Sequence, residues 1–155
     1  MPDKKETEQV KEMLLEKLSA SPEEESEKWV GFDLDGTLAK YTEWKGIEHI
    51  GDPIRPMCDL IKKMHEEGKR VKIITARVAP ATNNKGEEEE PSIVVNGKKK
   101  YASAFIQDWC AEHLGFVPEI VHEKDQLMVE MYDDRAKQVI PNKGILLEDK
   151  LEEEK

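Results

Sequence analysis

WVGFDLDGTLA, residues 29–39, is the stretch whose reading decides the fold. Trp29, Val30, Gly31 and Phe32 form an apolar run of strand length, which predicts a buried strand over 29–34. The run ends in two carboxylates one residue apart, Asp33 and Asp35, followed at once by Gly36 and Thr37. Carboxylates at the mouth of a core strand are costly unless a cation or hydrogen bonds compensate them. The neighbours of this stretch must supply that compensation.

Moving outward, the same apolar signature returns in RVKIIT (70–75), PEIVH (118–122) and LMVEMYDD (127–134), with KGILLE (143–148) as a candidate short last strand. Between them lie helical patterns. Met57, Leu60, Ile61 and Met64 share one face of a helix over 56–67 that stops at Gly68. Phe105, Ile106, Trp109 and Leu114 share one face of a helix over 103–114 that stops at Gly115. SIVVNGKKKYA (92–102) sets Asn96-Gly97 between two extended runs, a hairpin signal. APATNNKGEEEE (79–90) reads as a polar loop. The segment 35–53, with Gly46, Gly51 and Pro53, reads as an irregular insert too short for a separate cap domain. Strands alternating with helices predict an α/β fold. Its form would be a three-layer, Rossmann-like parallel sheet with helices on both faces, a minimal cap and a small β-hairpin insert.

Ahead of this body, Val10, Met13, Leu14 and Leu18 recur at helical spacing, so 1–28 reads as an amphipathic helix followed by an acidic linker over 19–28. That helix offers packing or a homodimer contact. The body runs from 29 to 148, and 149–155 is an acidic tail expected to be solvated.

The chain of 155 residues suits one domain that buries roughly 70% of its unfolded surface. Its net charge of −10 argues against non-specific binding of nucleic acid or anionic membranes by the surface as a whole. Cys58 and Cys110 have no metal-type spacing and read as buried thiols. With no leader pattern and no long apolar run, no membrane partner is expected and the location reads as cytoplasmic.

In a parallel α/β sheet, ligands bind at the carboxyl ends of the strands. Those ends carry Asp33 and Asp35, then Thr75 with Ala76 and Arg77, then Lys124 beside Asp125, then Asp133 and Asp134. Clustered carboxylates cannot all ionise without a cation among them. An all-oxygen donor set suits a hard ion such as Mg²⁺, which keeps water and substrate phosphate as further ligands. A carboxylate can accept a phosphoryl group, a second can move a proton, and a hydroxyl and a cation can hold phosphate oxygens. These are the parts of a metal-assisted phosphoryl transfer.

FDLDGTLA, IITAR and YDDRA, in this order, resemble the haloacid dehalogenase-like hydrolase superfamily across about 29–147. The resemblance implies that Asp33 is nucleophile and metal ligand. It makes Asp35 the general acid/base, with its carbonyl on the metal. Thr75 and Lys124 become phosphate binders, Asp133 the third protein ligand of the metal, and Asp134 a direct or water-mediated helper. The Asp at the second position of the first motif points to the phosphatase branches. The implied activity is a Mg²⁺-dependent phosphomonoesterase working through an aspartyl-phosphate. Its substrates would be phosphorylated small molecules, nucleotides or nucleic-acid 3′-phosphates. The alternative is a catalytically inactive module on the same fold that binds phosphate or a partner.

Several residues keep two readings. Gly36 and Thr37 form the turn that lets backbone approach a phosphate, or a plain turn. Arg77, next to Ala76, grips a substrate anion or makes a structural ion pair with Asp134 or a loop glutamate. Asp125 pairs with Lys124. Lys98, Lys99 and Lys100 overhang the site or line a solvated hairpin edge. Tyr41 and Trp44 stack a substrate base or pack the insert. Of the four histidines, His122 is nearest the expected site.

Overall fold

The computed structural model describes residues 4, 5, 7–11 and 22–154. The strands are β1 (Trp29–Phe32), β2 (Arg70–Ile74), β3 (Ala81–Thr82), β4 (Glu88–Glu89), β5 (Ser92–Val95), β6 (Lys98–Tyr101), β7 (Glu119–Val121) and β8 (Met128–Tyr132). The helices are α1 (Pro22–Glu27), α2 (Arg55–Glu66), α3 (Ala102–His113) and α4 (Leu147–Glu153). Four strands form one parallel sheet in the order β7-β2-β1-β8, so the chain is α/β as expected. No helix among the described residues is long and apolar enough to cross a membrane.

The register explains the core. Val30 lies opposite Val71 and Phe32 opposite Ile73. Side chains alternate along a strand, so these four share a face. The same cluster contains Cys58, Ile61 and Met64 of α2 and Ala102, Ile106, Trp109 and Cys110 of α3. Both helices therefore pack on one face. Two successive right-handed crossovers running the same way, β1 to β2 to β7, place them there. Helix α2 ends in a Schellman turn: Lys69 N–H donates to the Met64 carbonyl and Gly68 N–H to the His65 carbonyl, both at 3.0 Å. Gly68 accepts the φ of 83° that this turn requires.

The alternate face carries Trp29, Gly31, Lys72 and Ile74. A Cβ on Gly31 would meet the Trp29 ring, the Met128 sulfur and Ile74. The return from β7 to β8, at opposite edges of the sheet, is a helix-free strap over 122–127. It is pinned there by Asp125, whose carboxylate accepts from the Trp29 indole N–H at 2.9 Å and from Leu127 N–H at 2.8 Å. The Lys72 ammonium sits 4.5 Å from the centre of the buried Trp29 ring. Asp125 is thus paired with Trp29 rather than with Lys124. These contacts hold its carboxyl below the usual carboxylate range, the indole hydrogen bond foremost.

Other expectations change. Residues 22–27 of the expected linker form α1. Where it is described, over 4–5 and 7–11, the expected N-terminal helix is helical. Met13, Leu14 and Leu18 lie outside the described residues. The 79–90 loop contains the antiparallel pair β3–β4, closed by Asn83, whose side-chain oxygen accepts from Lys85 and Glu87 N–H. Asn96 and Gly97, at φ 51° and 78°, make the expected hairpin turn between β5 and β6. KGILLE forms no strand of the sheet. Leu146 makes one bridge to Val139, and Leu147 already begins α4, which carries the acidic tail and buries no residue.

Candidate active site

The carboxyl ends of β1, β2, β7 and β8 open into a cleft of about 520 Å³. Asp33, Asp35, Thr75, Ala76, Arg77, His122, Asp133 and Arg135 line it from the sheet side, and Tyr41 and Trp44 from the insert. Asp33 extends β1 by one ladder bond, its N–H donating to the Tyr132 carbonyl at 2.9 Å. That bond sets the end of β1 beside the end of β8, which is why Asp33 meets Asp133 and Asp134. An oxygen of each of the three carboxyls lies within 4.8 Å of the other two.

Burial pushes the Asp33 carboxyl up to about 7, helped by a hydrogen bond with Asp134 and the charges of Asp133 and Asp134. A backbone hydrogen bond from Leu34 opposes the rise. A cation among the three carboxyls could take the place of that proton.

Thr37 and Gly36 serve this cluster from behind. The buried Thr37 hydroxyl accepts from Asp134 N–H at 3.1 Å and approaches an Asp134 carboxylate oxygen at 3.4 Å. Gly36, at φ 89°, has the Asp134 carboxylate where a Cβ would stand. The DGT turn thus holds Asp134, and neither Gly36 nor Thr37 lines the cleft. Asp133 is fixed in its own turn by accepting from Arg135 N–H at 2.8 Å.

Thr75 N–H continues the ladder to the Val121 carbonyl, and its hydroxyl accepts from Arg77 N–H at 3.2 Å. The turn so capped aims the Arg77 side chain back over β1. Its guanidinium forks onto both oxygens of Asp35, at 2.7 and 2.8 Å, and reaches the Ile47 carbonyl at 3.5 Å. Its charge lies 4.8 Å from the centre of the Trp44 ring. The ion pair foreseen with Asp134 or a loop glutamate is made with Asp35. The Asp35 side chain consequently stands apart from the three-carboxyl set.

Lys124 is exposed and does not line the cleft. Its segment leaves the carboxyl edge after His122 and heads for the start of β8, which carries the lysine away. Arg135 is the cleft-lining cation that sequence reasoning missed. No ion pair holds its side chain among the described residues. Its place directly after the acidic pair was the available signal. Lys99 pairs with Glu89 and Lys100 with Asp108, and none of Lys98, Lys99 and Lys100 lines the cleft.

No protein-family model, no curated protein and no solved structure matches this chain.

Proposed function

We propose that the protein is a Mg²⁺-dependent phosphomonoesterase of the haloacid dehalogenase-like type that works through an aspartyl-phosphate on Asp33. The observation that carries the proposal is the convergence of Asp33, Asp133 and Asp134 from two chain segments to within 4.8 Å. Three such carboxyls, one of them raised to about 7, fit a hard divalent cation better than they fit one another. When bound, Mg²⁺ would offset the charge on the transferred phosphoryl oxygens.

The chain's own residues then divide the work. Asp33 attacks phosphorus, forming its bond as the ester P–O bond breaks, and water later cleaves the acyl-phosphate. The Thr75 hydroxyl still has its proton to donate to a phosphate oxygen. Arg135 supplies from the cleft wall the positive charge that Lys124 does not bring there. Asp35 protonates the leaving oxygen and later takes a proton from water, for which its fork with Arg77 must open. The short insert leaves the cleft open, as a minimal cap does. The fold reading is Rossmann-like in strand direction. Helices α2 and α3 form one helical layer, and the strap occupies the place of the second among the described residues. A cytoplasmic location is part of the proposal, supported by two buried, unbridged thiols.

The Asp35–Arg77 fork favours a second reading, a module that binds phosphate without turnover. Assay of p-nitrophenyl phosphate and a phosphoester panel with Mg²⁺, on wild type and Asp33→Asn, separates the two. Turnover lost in the variant supports the esterase. Equal turnover by both refutes Asp33 as nucleophile, and Mg²⁺ binding without turnover selects the module.

A further inference from the structure

A tryptophan left open to solvent on a cleft wall asks for an explanation. Trp44 is 55% exposed and Tyr41 37% exposed, and both line the cleft that holds Asp33. The Trp44 ring is nevertheless not loose. One side of it meets the Arg77 guanidinium, whose other bonds go to Asp35 and the Ile47 carbonyl. Arg77 is itself only 8% exposed. The indole therefore rests on a cation fixed from below, while much of its surface stays open. The insert beneath it is equally constrained. Lys40 N–H donates to the Asp52 carbonyl at 2.8 Å, Ala39 bridges Pro53, and the Trp109 indole N–H donates to the Gly51 carbonyl at 2.9 Å.

The space matches this platform. A volume of about 520 Å³ lies in the range of pockets that enclose whole small molecules, more than a phosphate group occupies. On the other side of Tyr41 and the Asp35–Arg77 pair lies a second hollow of about 270 Å³, with Lys40, Lys45 and His49 on its wall beside Glu43 and Asp52. The cleft is wider than a phosphate and flanked by two flat rings.

We infer that the ester's leaving group carries a flat aromatic ring, a nucleobase, which stacks on the open face of Trp44 while its phosphate lies at Asp33. The substrate class is thus nucleoside monophosphates rather than sugar phosphates. This rests on the phosphomonoesterase reading but is tested by binding as well as by turnover. Base–aromatic stacking contributes about 1–3 kcal/mol per base, roughly 5- to 150-fold in affinity.

The experiment titrates wild type and Asp33→Asn, with Mg²⁺, with adenosine and thymidine 5′- and 3′-monophosphates and with ribose 5-phosphate. Tryptophan fluorescence reports binding. The buried Trp29 and Trp109 leave Trp44 as the exposed indole. Nucleotides are expected to quench that emission and to bind at least about 5-fold tighter than ribose 5-phosphate. Trp44→Ala should abolish the discrimination and Trp44→Phe retain most of it. Equal affinity for nucleotides and ribose 5-phosphate overturns the stacking, whether or not the wild type hydrolyses them. Discrimination without turnover supports the stacking and removes the esterase, and binding of no ester at all overturns both.

Discussion

Magnesium affinity should climb with pH, and the climb should belong to Asp33. Burial, the hydrogen bond with Asp134 and the charges of Asp133 and Asp134 push its carboxyl from 3.8 up to about 7. An ion that needs the ionised cluster must displace that proton. With a value near 7, about nine-tenths of the molecules carry the proton at pH 6 and about one-tenth at pH 8. The association constant should therefore rise about tenfold between those pH values, about 1.4 kcal/mol, and then level off. Calorimetric titration in buffers of different ionisation enthalpy should show about 0.9 proton released per ion at pH 6 and about 0.1 at pH 8. Stability carries the opposite sign. Without metal, the native state binds this proton between its unfolded value of 3.8 and about 7, while the unfolded chain does not. That contribution is present in acid and is lost as pH rises through about 7, so the thermal midpoint should fall from pH 6 to pH 8 and Mg²⁺ should oppose the fall. Asp33→Asn removes both the proton and a donor, leaving weak binding without the climb. Equal wild-type affinity at both pH values, or a tenfold climb kept by Asp33→Asn, refutes the reasoning.

Three further outcomes are expected. Thr37→Val strips Asp134 N–H of its buried acceptor and should cost about 1–3 kcal/mol in urea unfolding, with weaker Mg²⁺ binding. A change confined to stability would separate Thr37 from the cluster. Arg77→Ala leaves Asp35 part-buried without its fork and should cost about 3–5 kcal/mol, and Arg77→Lys should recover only part because it lacks the planar fork. An unchanged unfolding midpoint contradicts that account. Cys58 and Cys110 should resist an aromatic disulfide reagent in the native protein and both react on unfolding. Each is fully buried, burial raises both thiols and the nearby Cys58 further raises Cys110, which stands at about 12. Rapid native labelling of either would place it at the surface.

What the sequence made legible was local. Apolar runs located β1 and β2, glycine stops ended α2 and α3, and Asn96-Gly97 announced its turn, because each signal lies within a few residues of what it specifies. The acidic cluster was legible through the rule that parallel strands send their carboxyl ends to one edge, which places Asp33 beside Asp133 without any contact being known. The Arg77–Asp35 fork was not, since 42 positions separate the partners and a guanidinium reaches several carboxylates equally well on paper. Lys124 misled for a related reason. Its spacing from Asp133 fits a loop at the carboxyl edge, and nothing in EKDQ reveals that the chain is already crossing to the other end of the sheet. KGILLE reads as a strand by composition, yet it lies beyond the sheet's last strand and pairs only with its own neighbourhood, through the single bridge from Leu146 to Val139.

The strap over 122–127 also acts as a ruler. Val121 pairs with Ile74, level with Asp33, whereas Met128 pairs with Trp29. The return spans about 14 Å across three strand spacings and about 13 Å back along them, a diagonal of about 20 Å. Seven Cα steps reach at most roughly 25 Å, and the turn joining Met128 N–H to the Asp125 carbonyl consumes part of that. Almost no slack remains. Deleting one strap residue slides β8 by about 3.3 Å and exchanges its two faces, drawing Asp133 and Asp134 out of reach of Asp33. Drift in sequence is cheap along this segment and drift in length is not. A tolerance map of single-codon deletions should show a narrow forbidden zone at 122–127 and a permissive one across 83–87, where the chain answers only to its own local turn.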